Sequence, residues 1–325
     1  MRFFHHCLRI AFAAALGCTL GLAQAQAWPD KPIHLIFPYP AGGGGDPLAR
    51  MVGSAISKGV GQPVLVDFMP GANGSIGTGF VARAPGDGYT LLFTSGTTVV
   101  QNKLLRKNLG YDTERDLTPI ARFADQPMLV VVNPAKVPAT NLQQLVAYAK
   151  ANPGKLNVST PGVGSLGQLA AVLLERQAGV KVNLIPYNTG KRLIDLLSGD
   201  IDMTIDPPTP YLPYLPTGKL VPIAVMSTAR SETLPNVPTT VEAGYPQMIT
   251  TAWFGVWGGR DMPRDVVLKI NAAMNEFLAS ADGRAQLARY ALVPTPTTPD
   301  ALREQVRQEL EKWAPIIRDA NISID

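Results

Sequence analysis

Four polar, glycine-rich turns hold most of the side chains in this sequence that could meet a ligand. They are residues 41–46 (AGGGGD), 94–98 (TSGTT), 160–168 (TPGVGSLGQ) and 188–190 (NTG). Each follows a short apolar run and precedes a helical pattern. That is where unpaired backbone N–H groups and the positive end of a helix dipole favour an anion. Glycine lets a ligand approach the backbone, and Ser and Thr hydroxyls add donors. The candidate ligand-binding residues are therefore Tyr39, Ala41, Gly42, Gly43 and Asp46; Thr94, Ser95, Thr97 and Thr98; Thr160, Gly164, Ser165 and Gln168; Tyr187, Asn188 and Thr189; and Asp206. The turns hold almost no Lys or Arg before Lys191-Arg192. Neutral donors would then hold the anion, which favours reversible binding. Asp46, followed by Pro47, reads as a helix N-cap. Asp206 ends a strand ahead of Pro207-Pro208, so it either caps a turn or, facing a cleft, receives a ligand amine or a protonated carboxyl.

Catalytic chemistry is constrained by what is missing. The cysteines are Cys7 and Cys18, both inside a leader, and outside it the one histidine is His34. A Cys-His dyad or a His/Cys zinc site cannot be built, so no catalytic residue and no metal site are expected. His34 lies mid-strand among apolar neighbours and reads as a packed structural residue. Ser75 and Ser165 sit in elbow-like contexts, but neither has the first glycine of G-x-S-x-G or a base. The glycines at 42–45, with Asp67 about 20 residues on, leave one alternative, an NAD-dependent oxidoreductase. Its third glycine fails, because Pro47 occupies that position.

The elements that would position these turns alternate along the chain. Strands are expected at residues 33–37, 63–68, 89–94, 128–132, 156–159, 182–185, 203–206 and 220–226. Helices are expected after residue 46 and over 142–151 (opened by a Thr140-x-x-Gln143 capping box), 167–178 and 192–198, from Pro263, and from 299 to about 317. Strand, glycine turn, helix, strand is a βαβ unit and implies parallel pairing. The alternation makes the fold α/β. About ten strands fit two sheets in two lobes more easily than one sheet.

Residues 1–27 carry Arg2 and Arg9, an apolar run and an A-x-A stretch, the order of a secretory signal peptide. Loss of Arg2 and Arg9 takes the net charge from +4 to +2. With no basic run, nucleic acid is not an expected partner. The expected organisation is a signal peptide over 1–27, a first lobe over 28–124, a second over 125–250, and a return to the first over 251–325.

The motif PAGGGGDPLAR at residues 40–50 resembles the P-A-G-G-x-x-D-x-x-A-R loop of the tripartite tricarboxylate transporter receptors, the Bug or TctC-like solute-binding proteins. The likeness begins at WPDKPI (28–33) and includes PGANGSIG (70–77), PGDGYTLL (85–92), ANPGKLN (151–157), Pro186-Tyr187, GKL (218–220), LPNVPTTVEAG (234–244) and WFG (253–255). It implies a two-lobed, type II-like periplasmic binding protein with a ligand cleft between hinged lobes, no catalysis and no cofactor. The implied ligand is a small carboxylate (a di- or tricarboxylate, an amino acid or an aromatic acid) lying against the turns at 41–46, 94–98 and 160–168, partly through ordered water. A monomer is expected, working with a tripartite permease or passing ligand occupancy to a sensor protein. Departures from the family pattern are Phe68-Met69 for Asn-Arg, Gln168 for His, Asn188-Thr189-Gly190 for a basic residue and glycine, and Pro207-Pro208 for an Asn-containing turn.

Overall fold

The computed structural model describes residues 28–42, 45–187 and 191–324. The expected signal peptide, Gly43, Asn188 and Thr189 lie outside them.

Strand β1 (Ile33–Phe37) is apolar and buried apart from His34. Helix α1 (Asp46–Val60) lays Leu48, Val52, Ala55 and Ile56 on the core and stops at Gly61, left-handed at φ +78. Strand β2 (Val64–Phe68) pairs parallel on one side of β1. Beyond helix α2 (Ser75–Arg83), β3 (Thr90–Ser95) pairs parallel on its other side. A π-helical turn, Thr97–Gln101, runs into α3 (Asn102–Leu105); α4 (Thr113–Asp116) then leads to the long strand β4 (Leu117–Pro127).

The second sheet starts almost at once with β5 (Leu129–Val132). It continues through α5 (Leu142–Ala151), β6 (Asn157–Thr160), α6 (Leu166–Ala178), β7 (Asn183–Pro186), α7 (Arg192–Ser198), β8 (Met203–Asp206) and β9 (Val221–Val225). The chain then returns as β10 (Thr251–Gly259), antiparallel between β3 and β4. Helices α8 (Arg264–Ala279) and α9 (Ala281–Ala288), the short strand β11 (Val293–Pro294) and α10 (Pro299–Asp319) finish it. The sheets run β11-β4-β10-β3-β1-β2 and β7-β6-β8-β5-β9.

Both sheets repeat one arrangement. From β1 the chain pairs β2 on one side and then crosses to β3 on the other; from β6 it pairs β7 and then crosses to β8. A crevice therefore opens past the carboxyl ends of β1 and β3, and another past β6 and β8, where connections diverge to opposite faces. The two passages between the sheets lie side by side, with the Met128 N–H donating to the Thr250 carbonyl at 3.0 Å.

Several expectations are corrected. The sheets are mixed rather than parallel, because β10 and β11 run against the other strands of the first sheet and β5 against those of the second. Asp46 is the first helical residue, not the N-cap, and its carboxylate turns back to the Gly42 N–H at 2.8 Å. Helix α5 is capped one position later than expected: Asn141 accepts the Gln144 N–H at 2.9 Å, and the Gln144 side chain returns to the Thr140 N–H at 2.9 Å. His34 is not packed in the core; its ring is half exposed and meets Asp67 at 2.6 Å. It is the one exposed position of β1.

The carboxy-terminal helices are tied to the first sheet by polar as well as apolar contacts. Asn271 of α8 donates to the Ile120 carbonyl at 2.8 Å and the Thr297 carbonyl at 2.7 Å, joining β4 to the entry of α10. Asn271→Ala removes the side-chain donor to the Ile120 carbonyl, leaves the Thr297 carbonyl with Asn275 alone at 3.1 Å, and should destabilise the protein by about 1–3 kcal/mol. The check is the urea midpoint, which should fall with little change in slope.

Candidate functional site

A cavity of about 600 Å³ lies between the two sheets, within the range of small-molecule sites. All four diverging connections reach it: Tyr39, Pro40 and Gly45 after β1; Ser95 and Thr97 at the end of β3; Pro161 and Ser165 to Gly167 after β6; and Asp206, Pro207 and Thr209 after β8. The side-by-side passages form its base, with Gln126, Met128, Ala252 and Phe254 in the wall.

The donors in this wall carry no formal charge. Tyr39 Oη lies 2.7 Å from Ser95 Oγ and 3.1 Å from Thr98 Oγ1, and Thr98 Oγ1 lies 2.5 Å from Thr94 Oγ1. Four hydroxyl protons serve these three bonds, so one proton is left for a ligand. Opposite, Ser165 caps α6 by accepting the Gln168 N–H at 3.2 Å. A helix start leaves its first N–H groups without intrahelical acceptors, and here those belong to Leu166 and Gly167, both in the wall. A Cβ on Gly167 would stand 2.8 Å from the Ile205 carbonyl, so the close approach of α6 to β8 requires glycine. The start of α1 is already neutralised: the Gly42 N–H, and then Arg50, hold the Asp46 carboxyl below its usual range.

Asp206 is the one carboxylate in the wall, 3% exposed. The Arg192 guanidinium and the Tyr211 hydroxyl, the latter at 2.7 Å, both donate to its Oδ2. Burial pushes the Asp206 carboxyl up, and the Arg192 charge opposes that. Two donors on one oxygen suit an ionised carboxylate. Burial and the Asp206 charge together push the Tyr211 hydroxyl up. At the base, Gln126 Nε2 donates to Thr209 Oγ1 at 2.6 Å and to the Tyr290 carbonyl at 2.5 Å, and Thr209 donates to that carbonyl at 2.8 Å. One side chain on a passage thus joins the second sheet's loop to the segment before β11.

Of the residues expected from sequence, Tyr39, Ser95, Thr97, Ser165 and Asp206 are in the cavity wall. Thr94 and Thr98 are buried directly beneath it, supporting Tyr39 and Ser95. Ala41, Gly42 and Asp46 form the turn behind Gly45, with Gly42 bound to Asp46. Thr160 is buried at the end of β6, and Gly164 donates to the Gln168 side chain at 2.7 Å. Gln168 itself lines a different groove, between α6 and α10. Tyr187 donates to Asp195 at 2.7 Å, its hydroxyl pushed up to about 12 by burial and then by Asp195. It follows the edge strand β7 and is not among the residues that line the cavity.

Sequence reading missed Phe37, Leu48, Asn73, Gln126, Thr209, Phe254 and Tyr290. The signal for Thr209 was available in the topology, since the loop after β8 mirrors that after β3. Asp67, the acid that a dinucleotide site would need, is bonded to His34 away from this wall, which removes the oxidoreductase reading. Among the described residues no group of three or more His, Cys, Asp or Glu side chains gathers to hold a metal ion. No helix among them is long and apolar enough to cross a membrane.

The comparisons agree with this architecture. A family model, TctC, described as the tripartite tricarboxylate transporter family receptor, matches residues 48–322. Protein BugT of Bordetella pertussis is 32% identical over 311 residues, covering 94% of this chain and 95% of that protein. The solved structure of R. palustris Rpa4515 with adipate is 31% identical, with a TM-score of 0.79 over 91% of this chain and 99% of that one. MatC (Rpa3494) from Rhodopseudomonas palustris with bound malate is 30% identical, with a TM-score of 0.74 over 89% of this chain and 100% of that one.

The ion pair in the wall gives a direct test of the local electrostatics. Arg192→Met strands a buried carboxylate and should cost about 3–5 kcal/mol of stability. Adding Asp206→Asn, which keeps an acceptor for Tyr211, should recover most of that loss. Urea denaturation of the single and double variants measures both.

Proposed function

The chain belongs to the tripartite tricarboxylate transporter receptor family, whose members are solute-binding receptors, and we propose that it captures a small carboxylate in this cavity after export to the periplasm. The observation that carries the reading is the meeting of four strand-end connections, two from each sheet, around one cavity with neutral donors. A carboxylate there accepts from the hydroxyl chain of Tyr39 and Ser95 and from the N–H groups that open α6. The adipate and malate held by the two solved relatives are of this chemical class. No step of bond making is assigned to the site; the chain acts as a receptor, not an enzyme.

Function follows from the division of the wall between two sheets. Ligand bridging both favours the arrangement in which the sheets approach, and shifts the population by its better fit to that state. The paired passages at 126–128 and 250–252 are short, so they absorb such a motion as a hinge. A permease or a sensor would read the closed form. The leader over residues 1–27 supports export, and the lobes divide at the passages.

Thermal melting against carboxylates and NAD tests the reading. A ligand at 100 times its Kd should stabilise by about 2.7 kcal/mol. A shift with a carboxylate and none with NAD supports it; a shift with NAD alone contradicts it. Leu166 allows a sharper test, because proline is tolerated at the first helical position yet has no N–H. Ser165 before it is already extended, at ψ 154, as a residue before proline should be. Leu166→Pro should weaken carboxylate binding about 10- to 100-fold more than Leu166→Ala, the loss of one hydrogen bond to a charged group. Isothermal titration of both variants measures the difference.

A further inference from the structure

The charges around the cavity narrow the ligand further than its family does. The described wall contains no Lys, Arg or His, and its one acid, Asp206, has its charge answered by Arg192. Arg50, at the start of α1, is turned outward, 63% exposed and bonded to Asp46 at 2.6 Å. One carboxylate can be met by neutral donors at the start of α6 and the end of β3. A second would meet no cation among the described wall residues, and a carboxylate already in place. Removing an ion from water without a partner is costly enough to exclude it.

The rest of the wall is apolar and aromatic. Phe37 stands 5.1 Å from Tyr39 and 5.6 Å from Phe93, and Phe93 stands 5.9 Å from Phe254, centroid to centroid. Phe37, Tyr39 and Phe254 from this ladder face the cavity, with Leu48, Met128 and Leu292 beside them. Such a surface rewards an apolar body by about 25 cal/mol for each Å² buried.

Resting on the receptor reading above, we infer that the ligand is a monocarboxylate with an uncharged, apolar body, its carboxylate on the Ser95 and Leu166 side and its body against Phe37, Leu48 and Phe254. Asp206 excludes a second carboxylate by engaging Arg192, the cation that would otherwise meet it. The Arg192 guanidinium already answers the Asp206 charge, so none is left uncompensated for a ligand ammonium.

Isothermal titration of the purified protein with 3-phenylpropanoate, hexanoate, adipate, malate, phenylalanine and 3-phenylpropanamide tests this. The expected result is binding of 3-phenylpropanoate and hexanoate, with adipate, malate and phenylalanine each weaker by about tenfold or more, one missing charge partner costing at least that. Tighter binding of adipate or malate overturns the inference and leaves the receptor reading intact. Tighter binding of phenylalanine than of 3-phenylpropanoate overturns the uncharged body. Equal binding of the amide and the acid, or no binding by any acid, overturns the receptor reading and the inference together. Asp206→Asn leaves Arg192 unanswered and should narrow the gap between hexanoate and adipate; an unchanged gap in a folded variant denies Asp206 the excluding role. Should that variant fail to fold, the panel on the unaltered protein still decides.

Discussion

At the carboxyl end of β8 a carboxylate and a guanidinium face each other inside the protein, and a tyrosine hydroxyl completes the set. Neither Arg192 nor Asp206 is tolerated alone at that depth, so each fixes the other. Together they remove formal charge from the wall of the cavity. The consequence reaches every other group there, because an uncompensated cation would hold an anion permanently and an uncompensated anion would repel it. With the pair in place, binding strength is left to hydroxyls and backbone N–H groups, whose contributions are about 0.5–3 kcal/mol each. That is the range in which a receptor can both capture and release.

The neutral donors are a product of topology. Two sheets built on one plan each open a crevice past their diverging strands, and the fold sets the crevices face to face. The start of α6 then brings the unpaired N–H groups of Leu166 and Gly167 to the shared space. Gln126, on one passage, bonds Thr209 from the second sheet and the Tyr290 carbonyl from the first lobe's return. It connects the passage between the sheets to the floor of the cavity.

Much of this was legible locally. The β1, α1 and β3 segments show their apolar periodicity without ambiguity, and the glycine turns mark the strand ends. The segments that were not legible owe their structure to distant partners. Strand β4 carries Pro119, Asp125 and Pro127, a poor local strand, and is made one by nine pairings with β10 that include two register shifts. Helix α2 carries Gly77 and Gly79, poor helix formers, because a Cβ at Gly77 would stand 2.9 Å from the Met69 carbonyl. The site followed the same division. Ser95, Thr97 and Ser165 were found from their turns, whereas Gln126 and Thr209 become neighbours only when the sheets face one another. The turn after β7 looked equivalent to the others in sequence, but edge position takes Tyr187 out of the wall.

The most direct test is a crystal structure of the protein with 3-phenylpropanoate. The account predicts one ligand between the sheets, its carboxylate oxygens about 2.7–3.2 Å from the Leu166 N–H and from a hydroxyl of the Tyr39–Ser95 pair. A carboxylate bound instead to Arg192, with Asp206 displaced, or a cavity left empty at saturating ligand, would contradict it.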